Sequence, residues 1–321
     1  MHRYCRLTPV YMLSIGVWVS LLVHLEEGPY IRDYYQRNRD TCATYWWTNL
    51  LYINNFFSFP TKQCMPWSWY LANDWQFFFI SPLFLVLLSK RKFRKFGVIA
   101  LVVVTVLSGT VTAVLIGHWG FPLGNLLRGE GTASVDIDDR VYAKPWTRIQ
   151  TYTLGMLVGY ILYRIKDQKY RIPLIKNLIG WTLSFSIMFA LVFGLYSSGE
   201  ESSLPGWFGA IWHGIDRILF TSCVAWIIFA CVTGNGGPVN SFLSSGLFIP
   251  LSRLTYCCYL LHPMIINAYL YSKKVSFHWS HMEMVSYCML HFVVKSCIYR
   301  QSEVKAPHSG CLFCRRGRGL G

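Results

Sequence analysis

The chain has 321 residues, of which 53% are apolar, 17% aromatic and only 14% charged, and its formal net charge is +15. This composition is unusual for a soluble protein of one or two domains and typical of a chain that lies in lipid. The basic residues lie in short segments between apolar runs, so they do not form the continuous basic surface that nucleic acid requires. We therefore predict a membrane protein whose first partner is the lipid bilayer, and we exclude a nucleic-acid partner.

Several apolar runs of about 17 to 25 residues carry almost no charge, which is the length that a helix needs to cross the ~30 Å hydrocarbon core of a bilayer. The runs lack the polar alternation of barrel strands, and only helices or closed barrels satisfy every backbone group within lipid. The predicted fold class is therefore all-α, a polytopic transmembrane helical bundle.

In chain order, the first predicted span covers residues 9–25. A polar and aromatic loop, 26–66, follows it, and 46–59 within this loop is predicted to be interfacial or re-entrant because its aromatic side chains suit the membrane boundary. The remaining predicted spans are 67–88, 97–117, 146–163, 178–196, 209–232 and 247–269. The bundle is thus expected to have about seven spans.

Lysine and arginine are concentrated in alternate loops, as the positive-inside rule requires. Basic clusters follow the second and fourth predicted spans, whereas the loop after the fifth contains Glu200 and Glu201 without lysine or arginine. This pattern predicts a cytoplasmic N-terminus and places 26–66 and 118–145 on the lumenal or extracellular side. We expect a multi-pass protein of the endoplasmic reticulum or the plasma membrane.

The end of the chain differs in character from the rest. Residues 284–299 are weakly apolar, and Lys295 argues against an eighth span because charge inside a membrane is costly. Residues 276–321 are predicted to form a divergent basic tail. Cys311 and Cys314 lie there without the second pair that a structural zinc site needs, so no metal site is predicted.

Most of the 11 cysteines lie in apolar runs, where a thiol behaves as a small apolar group. Cys42 and Cys64 instead lie in the loop that the charge pattern places on the oxidising side. A disulfide between them would restrain the aromatic segment that they enclose. We predict this bond; the alternative is a pair of free thiols.

Polar groups inside apolar helices are informative, because each costs roughly 2.5 to 3.5 kcal/mol at the bilayer centre and persists when it is paired, hydrated or used. His213, Asp216 and Arg217 stand at i, i+3 and i+4 of the sixth predicted span, so both charges reach the imidazole side of one helix. Two interpretations stay open: a buried ion pair that holds helices together, or a site wall that binds an anionic group or tunes a base.

Thr255, Tyr259 and His262 form one stripe along the seventh predicted span. An imidazole flanked by hydroxyls can accept a proton from a substrate alcohol. The alternative is that His262 is an interfacial hydrogen-bonding group near a helix end.

In the second predicted span Asp74 lies beside Asn73 and Gln76 and shares a face with Phe78 and Ser81. A carboxylate in this place can orient a histidine or bind a cation. The alternative is a residue that stays hydrated at the lumenal end of the helix.

Four motifs stand in order along residues 4–275: RLTP from Arg6, YWWTNLLYIN from Tyr45, CMPWSWYLANDWQFF from Cys64 and TYCCYLLHP from Thr255. Together they resemble the acyltransferase-3 family, specifically its nose-resistant-to-fluoxetine and O-acyltransferase-like subgroup. Because four separated motifs agree, the resemblance is specific.

The resemblance implies transfer of an acyl group, with acyl-CoA as co-substrate and no bound cofactor, to a hydroxyl of a lipid, carbohydrate or other acceptor. The residues then expected to be catalytic are His262 and Asp74. The residues then expected to bind substrate are His213, Asp216, Arg217, Tyr259 and Asn73.

The chain also departs from the family that it resembles. Family members begin with earlier helices, one of which bears a histidine regarded as central to acyl transfer, and this subgroup has a large N-terminal extracytoplasmic domain. Residues 1–275 are therefore expected to be a partial acyltransferase-3-like transmembrane domain that lacks those first helices. The alternative function is a non-enzymatic membrane carrier of lipids or xenobiotics, or a catalytically inactive fragment.

Overall fold

The computed structural model describes residues 2–21, 31–58, 61–119, 138–165, 172–194, 206–246 and 248–272. All regular elements in these ranges are helical, which confirms the predicted all-α class. The α-helices there are α1 (His2–Gly16), α2 (Ile31–Leu50), α3 (Trp69–Ser89), α4 (Arg94–Trp119), α5 (Ile149–Ile165), α6 (Leu174–Phe193), α7 (Gly206–Val232), α8 (Gly237–Leu243) and α9 (Phe248–Ser272). The predicted tail 276–321 and the weak span 284–299 lie outside the described residues.

Among the described helices, four segments have the length and hydropathy needed to cross a membrane. These segments are Pro66–Ser89, Arg94–Trp119, Leu174–Phe193 and Trp207–Val232. They correspond to the second, third, fifth and sixth predicted spans. Helices α1, α5 and α9 lie at the other three predicted positions but do not belong to this set. The structure thus supports a membrane protein with four candidate spans, and the number seven stays a prediction.

Helix α4 connects the parts of the bundle. It packs against α3, α5 and α7, and α6 packs on α7. The buried side chains of Phe84, Leu88 and Leu101 form an apolar core where α3 and α4 meet, with α5 packed beside them. On α6, in contrast, Leu174 and Ile175 are 81% and 73% exposed. Apolar surface of this extent is stable in contact with lipid rather than with water.

Helices α4 and α7 touch backbone to backbone. A Cβ atom built on Gly109 would lie 2.8 Å from the carbonyl oxygen of Gly214, and one built on Gly214 would lie 3.0 Å from the Cβ of Ala113. Small residues allow this approach, which membrane helices use to gain packing contacts where lipid offers no hydrophobic driving force between them. The crossing fixes the position of α7, on which His213, Asp216 and Arg217 lie.

Residues 31–58 and 61–68 form a compact unit that we call the cap. It consists of α2 and of 3-10 turns at Asn54–Phe56 and Pro66–Ser68. The expected loop 26–66 therefore contains a 20-residue helix, Ile31–Leu50, which sequence reasoning missed. Its composition is polar, but Tyr35 and Cys42 pack into a core shared with α1 and α9. Tertiary packing of one helix face stabilises a helix that composition alone does not predict.

Asn49 connects the cap to α1 and to the segment before α3. It is completely buried, and its Nδ2, which has two hydrogens, lies within hydrogen-bond distance of three acceptors: the Tyr11 hydroxyl at 2.6 Å, the Cys64 carbonyl at 2.7 Å and the Ser68 hydroxyl at 3.2 Å. A buried amide with several partners orders all of them together, because leaving any of these groups unpaired is costly.

Tyr52 follows the end of α2 with a φ of 57°, in the left-handed region. This conformation costs a non-glycine residue roughly 1 to 2 kcal/mol. The buried ring offsets that cost by stacking on Trp75 at 5.3 Å, and its hydroxyl lies 3.2 Å from that of Thr8. Burial raises the pKa of the Tyr52 phenol above its usual value, so the hydroxyl stays protonated at neutral pH.

Cys42 and Cys64 form a disulfide, as predicted from their place in the loop. Their Cα atoms lie 4.5 Å apart, and both residues are buried. The bond joins α2 to the segment that leads into α3, so it closes the cap on itself.

Replacing Cys64 with serine is expected to lower the melting temperature of the detergent-solubilised chain. The bond closes a loop with a sequence separation of 22 residues, and a loop of that size stabilises a fold by about 3 kcal/mol. Thermal unfolding followed by size-exclusion chromatography measures the effect. Cys5→Ser, which removes an exposed free thiol, is the control and should leave the melting temperature unchanged. Peptide mapping without reductant that recovers both cysteines as free thiols would contradict the bond.

Candidate functional site

A cavity of about 290 Å³ lies between the first turns of α3 and the start of α5. Its lining residues are Trp69, Tyr70, Asn73, Asp74, Phe77, Arg148, Thr151 and Tyr152. The guanidinium of Arg148 lies over the Trp69 ring at one end, and the rings of Phe77 and Tyr152 meet at 5.4 Å at the other. The cavity is thus a slot between two helices, in which one carboxylate, one amide, one guanidinium and three hydroxyls stand among aromatic rings. Pockets of this composition are typical of small-molecule sites.

Asp74 pairs with Arg3 across the interface of α3 and α1. The guanidinium of Arg3 donates to Oδ2 of Asp74 and also lies 4.7 Å from the centre of the Phe78 ring. Both side chains of the pair are about one third exposed. The cation beside this carboxylate is therefore Arg3 of the chain itself. A role of Asp74 in orienting a histidine stays a prediction.

Asn73 belongs to the fixed wall of the cavity. It is 2% exposed, its Nδ2 donates to the Ala143 carbonyl at 3.0 Å, and its Oδ1 accepts from Nδ2 of Asn55 at 2.7 Å. Lys144 adds a second link, because its ammonium group donates to the Asn55 carbonyl at 2.9 Å. These bonds tie α3, the cap and the segment before α5 together. The expected contact of Asn73 with substrate stays a prediction.

Arg148 enters the cavity from the residue that precedes α5. Its Nε donates to the Tyr142 carbonyl at 2.8 Å, and its guanidinium lies 4.2 Å from the centre of the Tyr142 ring and 4.9 Å from that of Trp69. An arginine held in this way has a defined plane, and its N–H donors match the geometry of a carboxylate or phosphate.

Helix α9 brings Tyr259 and His262 next to the cavity but not into its lining. The Tyr259 hydroxyl donates to the Trp67 carbonyl, and its ring lies 5.9 Å from that of Tyr70, which lines the cavity. The His262 ring lies 6.0 Å from that of Tyr259, and its Nδ1 donates to the Cys258 carbonyl at 3.1 Å. His262 therefore borders the site through two phenol rings.

The cluster on α7 contacts the segment before α5 through Arg217. Nδ1 of His213 lies 3.3 Å from Oδ2 of Asp216. Arg217 donates to the carbonyl of Thr147 at 2.7 Å, so it holds the peptide next to Arg148. The His213–Asp216 contact thus lies within one helix, and Arg217 joins α7 to the peptide before α5. Binding of an anionic group by this cluster stays a prediction.

The three predicted clusters therefore converge on one region. Asp74 and Asn73 line the cavity, Tyr259 and His262 border it, and Arg217 of the α7 cluster supports its wall. Among the described residues, no group of three His, Cys, Asp or Glu side chains could hold a metal ion.

The matching family model is described as an acyltransferase domain, and it covers residues 1–300 of the chain. The chain belongs to the acyltransferase-3 family. This confirms the resemblance of its four motifs. The chain is 32% identical over 295 residues to "Nose resistant to fluoxetine protein 6" of Caenorhabditis elegans, which covers 89% of the chain and 35% of that protein. It is 23% identical over 274 residues to "Regulator of hypoxia-inducible factor 1" of the same organism, covering 79% of the chain and 52% of that protein.

The chain of this acyltransferase-3 family member thus spans about a third of the length of one curated relative and about half of the other. No solved structure matches it.

Two residues of the site were missed by sequence reasoning. Arg3 precedes the first predicted span, and Arg148 lies inside the predicted span 146–163. For Arg148 a signal was present, because a charge inside an apolar run is costly unless it is paired or used. For Arg3 the sequence offered none, since its partner is 71 residues away.

Proposed function

We propose that this chain transfers an acyl group from acyl-CoA to a hydroxyl acceptor, and that the cavity between α3 and α5 receives the acceptor. The observation that carries the proposal is the cavity itself, where Asp74 stands among hydroxyls and a guanidinium. An ionised carboxylate accepts a hydrogen bond from a hydroxyl, so it can orient the acceptor.

In this proposal His262 is the general base. Its Nδ1 donates to the Cys258 carbonyl, and in the neutral ring with that proton Nε2 is the basic nitrogen. For this step the acceptor hydroxyl has to extend from the cavity past the rings of Tyr70 and Tyr259, which lie between the cavity and His262. There Nε2 takes the proton of the hydroxyl while the acceptor oxygen bonds to the thioester carbonyl carbon. The C–S bond then breaks, and coenzyme A leaves as its thiol with that proton. Tyr259 and the α7 cluster hold the surrounding wall.

We further propose that the chain lies in the endoplasmic reticulum or the plasma membrane with its N-terminus in the cytoplasm. Helix α1 runs opposite to α3, because Trp18 after its end meets Trp67 before α3, whereas Arg3 at its start meets Asp74. An antiparallel pair is what the predicted alternation of spans requires. In this proposal acyl-CoA reaches the site from the cytosolic side.

The test is incubation of labelled acyl-CoA with membranes that contain the chain. His262→Ala is expected to lower label transfer by at least about 100-fold, because loss of a general base costs that much. His118→Ala, at the exposed end of α4, is the matched control and should transfer label at the parent rate. Transfer that is unchanged in His262→Ala membranes would remove the proposed role of this histidine.

A second candidate is a non-enzymatic carrier of lipids or xenobiotics. The observation that favours it is that His262 does not line the cavity, whose walls are rich in aromatic rings. A carrier would bind amphipathic molecules in the same cavity, and its membranes would incorporate no label above that of membranes without the chain.

A further inference from the structure

The cavity presents its charged groups at two levels along α3. Arg148 lies over the ring of Trp69, and Asp74 stands five residues further along the helix. Five residues correspond to about 7.5 Å along a helix axis. The aromatic side chains of Tyr70, Phe77 and Tyr152 complete the lining. A molecule that fills the slot therefore meets a cation near one end, aromatic walls along its body and a carboxylate further in.

The cation is oriented before any ligand arrives. Stacking on the rings of Trp69 and Tyr142 and the bond from Nε to the Tyr142 carbonyl define the plane of the Arg148 guanidinium. Arg217 holds the preceding peptide through the Thr147 carbonyl. A guanidinium in a defined plane recognises a planar anion, above all a carboxylate, through parallel N–H donors.

The carboxylate is suited to a different group. Arg3 donates to Oδ2 of Asp74, and an ionised carboxyl group has a second acceptor oxygen. A hydroxyl of a ligand can donate to that oxygen, whereas a second anion would be repelled. The guanidinium of Arg148 and the carboxylate of Asp74 therefore recognise opposite chemistry.

We infer that the cavity binds a small amphipathic hydroxy acid, with its carboxylate at Arg148, its flat apolar body against the rings and its hydroxyl at Asp74. That this ligand is an acceptor for acyl transfer rests on the proposed function, whereas its binding to the cavity does not. A hydroxy acid whose two groups stand at opposite ends of a ring reaches both charges, and an isomer whose two groups are adjacent reaches only one.

The probe is radiolabelled 4-hydroxybenzoate, measured by equilibrium dialysis against the full chain in detergent. The chain is expected to bind it, and to bind 2-hydroxybenzoate and uncharged 4-hydroxybenzamide at least tenfold more weakly. Arg148→Gln should weaken binding of 4-hydroxybenzoate at least tenfold, because it removes the charge-assisted hydrogen bonds. Arg148→Lys keeps the positive charge but loses the paired N–H donors of the guanidinium. Its affinity for 4-hydroxybenzoate should lie between those of the parent chain and of Arg148→Gln.

Arg140→Gln is the matched control, because Arg140 also lies over an aromatic ring, 3.8 Å from the centre of Trp119, but does not line the cavity. It should bind the probe like the parent chain. Elution profiles and melting temperatures without probe report whether each variant folds. If Arg148→Gln does not fold, the preference of the parent chain for 4-hydroxybenzoate over 4-hydroxybenzamide decides the inference.

Parent binding that is undetectable at millimolar probe, equal binding of the acid and the amide, or undiminished binding by folded Arg148→Gln would each overturn the inference. Label transfer from acyl-CoA separates this result from the proposed function. Binding of the probe without any acyl transfer by the membranes supports the site and contradicts the enzyme. Acyl transfer to other acceptors without binding of the probe supports the enzyme and contradicts the site.

Discussion

Replacing Asn49 with leucine is expected to destabilise the chain by about 3 to 5 kcal/mol, since several buried hydrogen bonds are lost and the groups left behind stay unpaired. The groups affected are the Tyr11 hydroxyl on α1, the Cys64 carbonyl beside the disulfide and the Ser68 hydroxyl before α3. Leucine has a similar volume but no donor. For a chain of this size, a loss of that magnitude lowers the melting temperature by on the order of 10 °C.

Asn38→Leu is the control for this prediction. Asn38 lies on the same helix, α2, and its Nδ2 donates to the carbonyl of Tyr34 within that helix. It should therefore lower the melting temperature by far less than Asn49→Leu does. If both variants melt at the same temperature, the cap is not held to α1 and α3 through Asn49.

Replacing Gly109 with valine is expected to force α4 and α7 apart. The added Cβ would stand 2.8 Å from the carbonyl oxygen of Gly214, and a backbone atom of a packed helix cannot yield as a flexible side chain does. Overpacking of this kind typically costs about 1 to 3 kcal/mol. The displacement also withdraws Arg217 from the Thr147 carbonyl, so acyl transfer should fall together with the melting temperature.

Gly155→Val is the matched control, because a Cβ on Gly155 of α5 would meet nothing within 4 Å. It should leave both the melting temperature and acyl transfer close to those of the parent chain. Equal losses in the two variants would show that valine harms these helices irrespective of the crossing.

Hydropathy predicted several helices well, because each segment that crosses lipid has to satisfy its own backbone groups and avoid charge, whatever its neighbours are. The predicted spans 67–88, 97–117 and 209–232 differ by only a few residues from Trp69–Ser89, Arg94–Trp119 and Gly206–Val232. Hydropathy did not predict helix α2, because its polar sequence is stabilised as a helix by contacts with α1 and with α9, which is remote in the chain.

The candidate site was predictable in part for the same reason. Asp74 and Asp216 were found because a carboxylate in an apolar run is conspicuous in one segment of sequence. Their partners follow different rules: His213 lies one turn away on the same helix, whereas Arg3 comes from another helix. The periodicity of a sequence reveals neighbours on the same helix, whereas only the packing of helices reveals neighbours on another helix.

Asn55 of the cap contacts both walls of the cavity at once. It donates to Asn73 on α3 and accepts, through its carbonyl oxygen, from Lys144, which lies four residues before Arg148. Asn55, which lies outside the four candidate membrane-crossing segments, therefore adds a second link between α3 and the segment before α5, beside the bond from Asn73 to the Ala143 carbonyl. A displacement of the cap would therefore change the separation of these two segments and with it the width of the cavity.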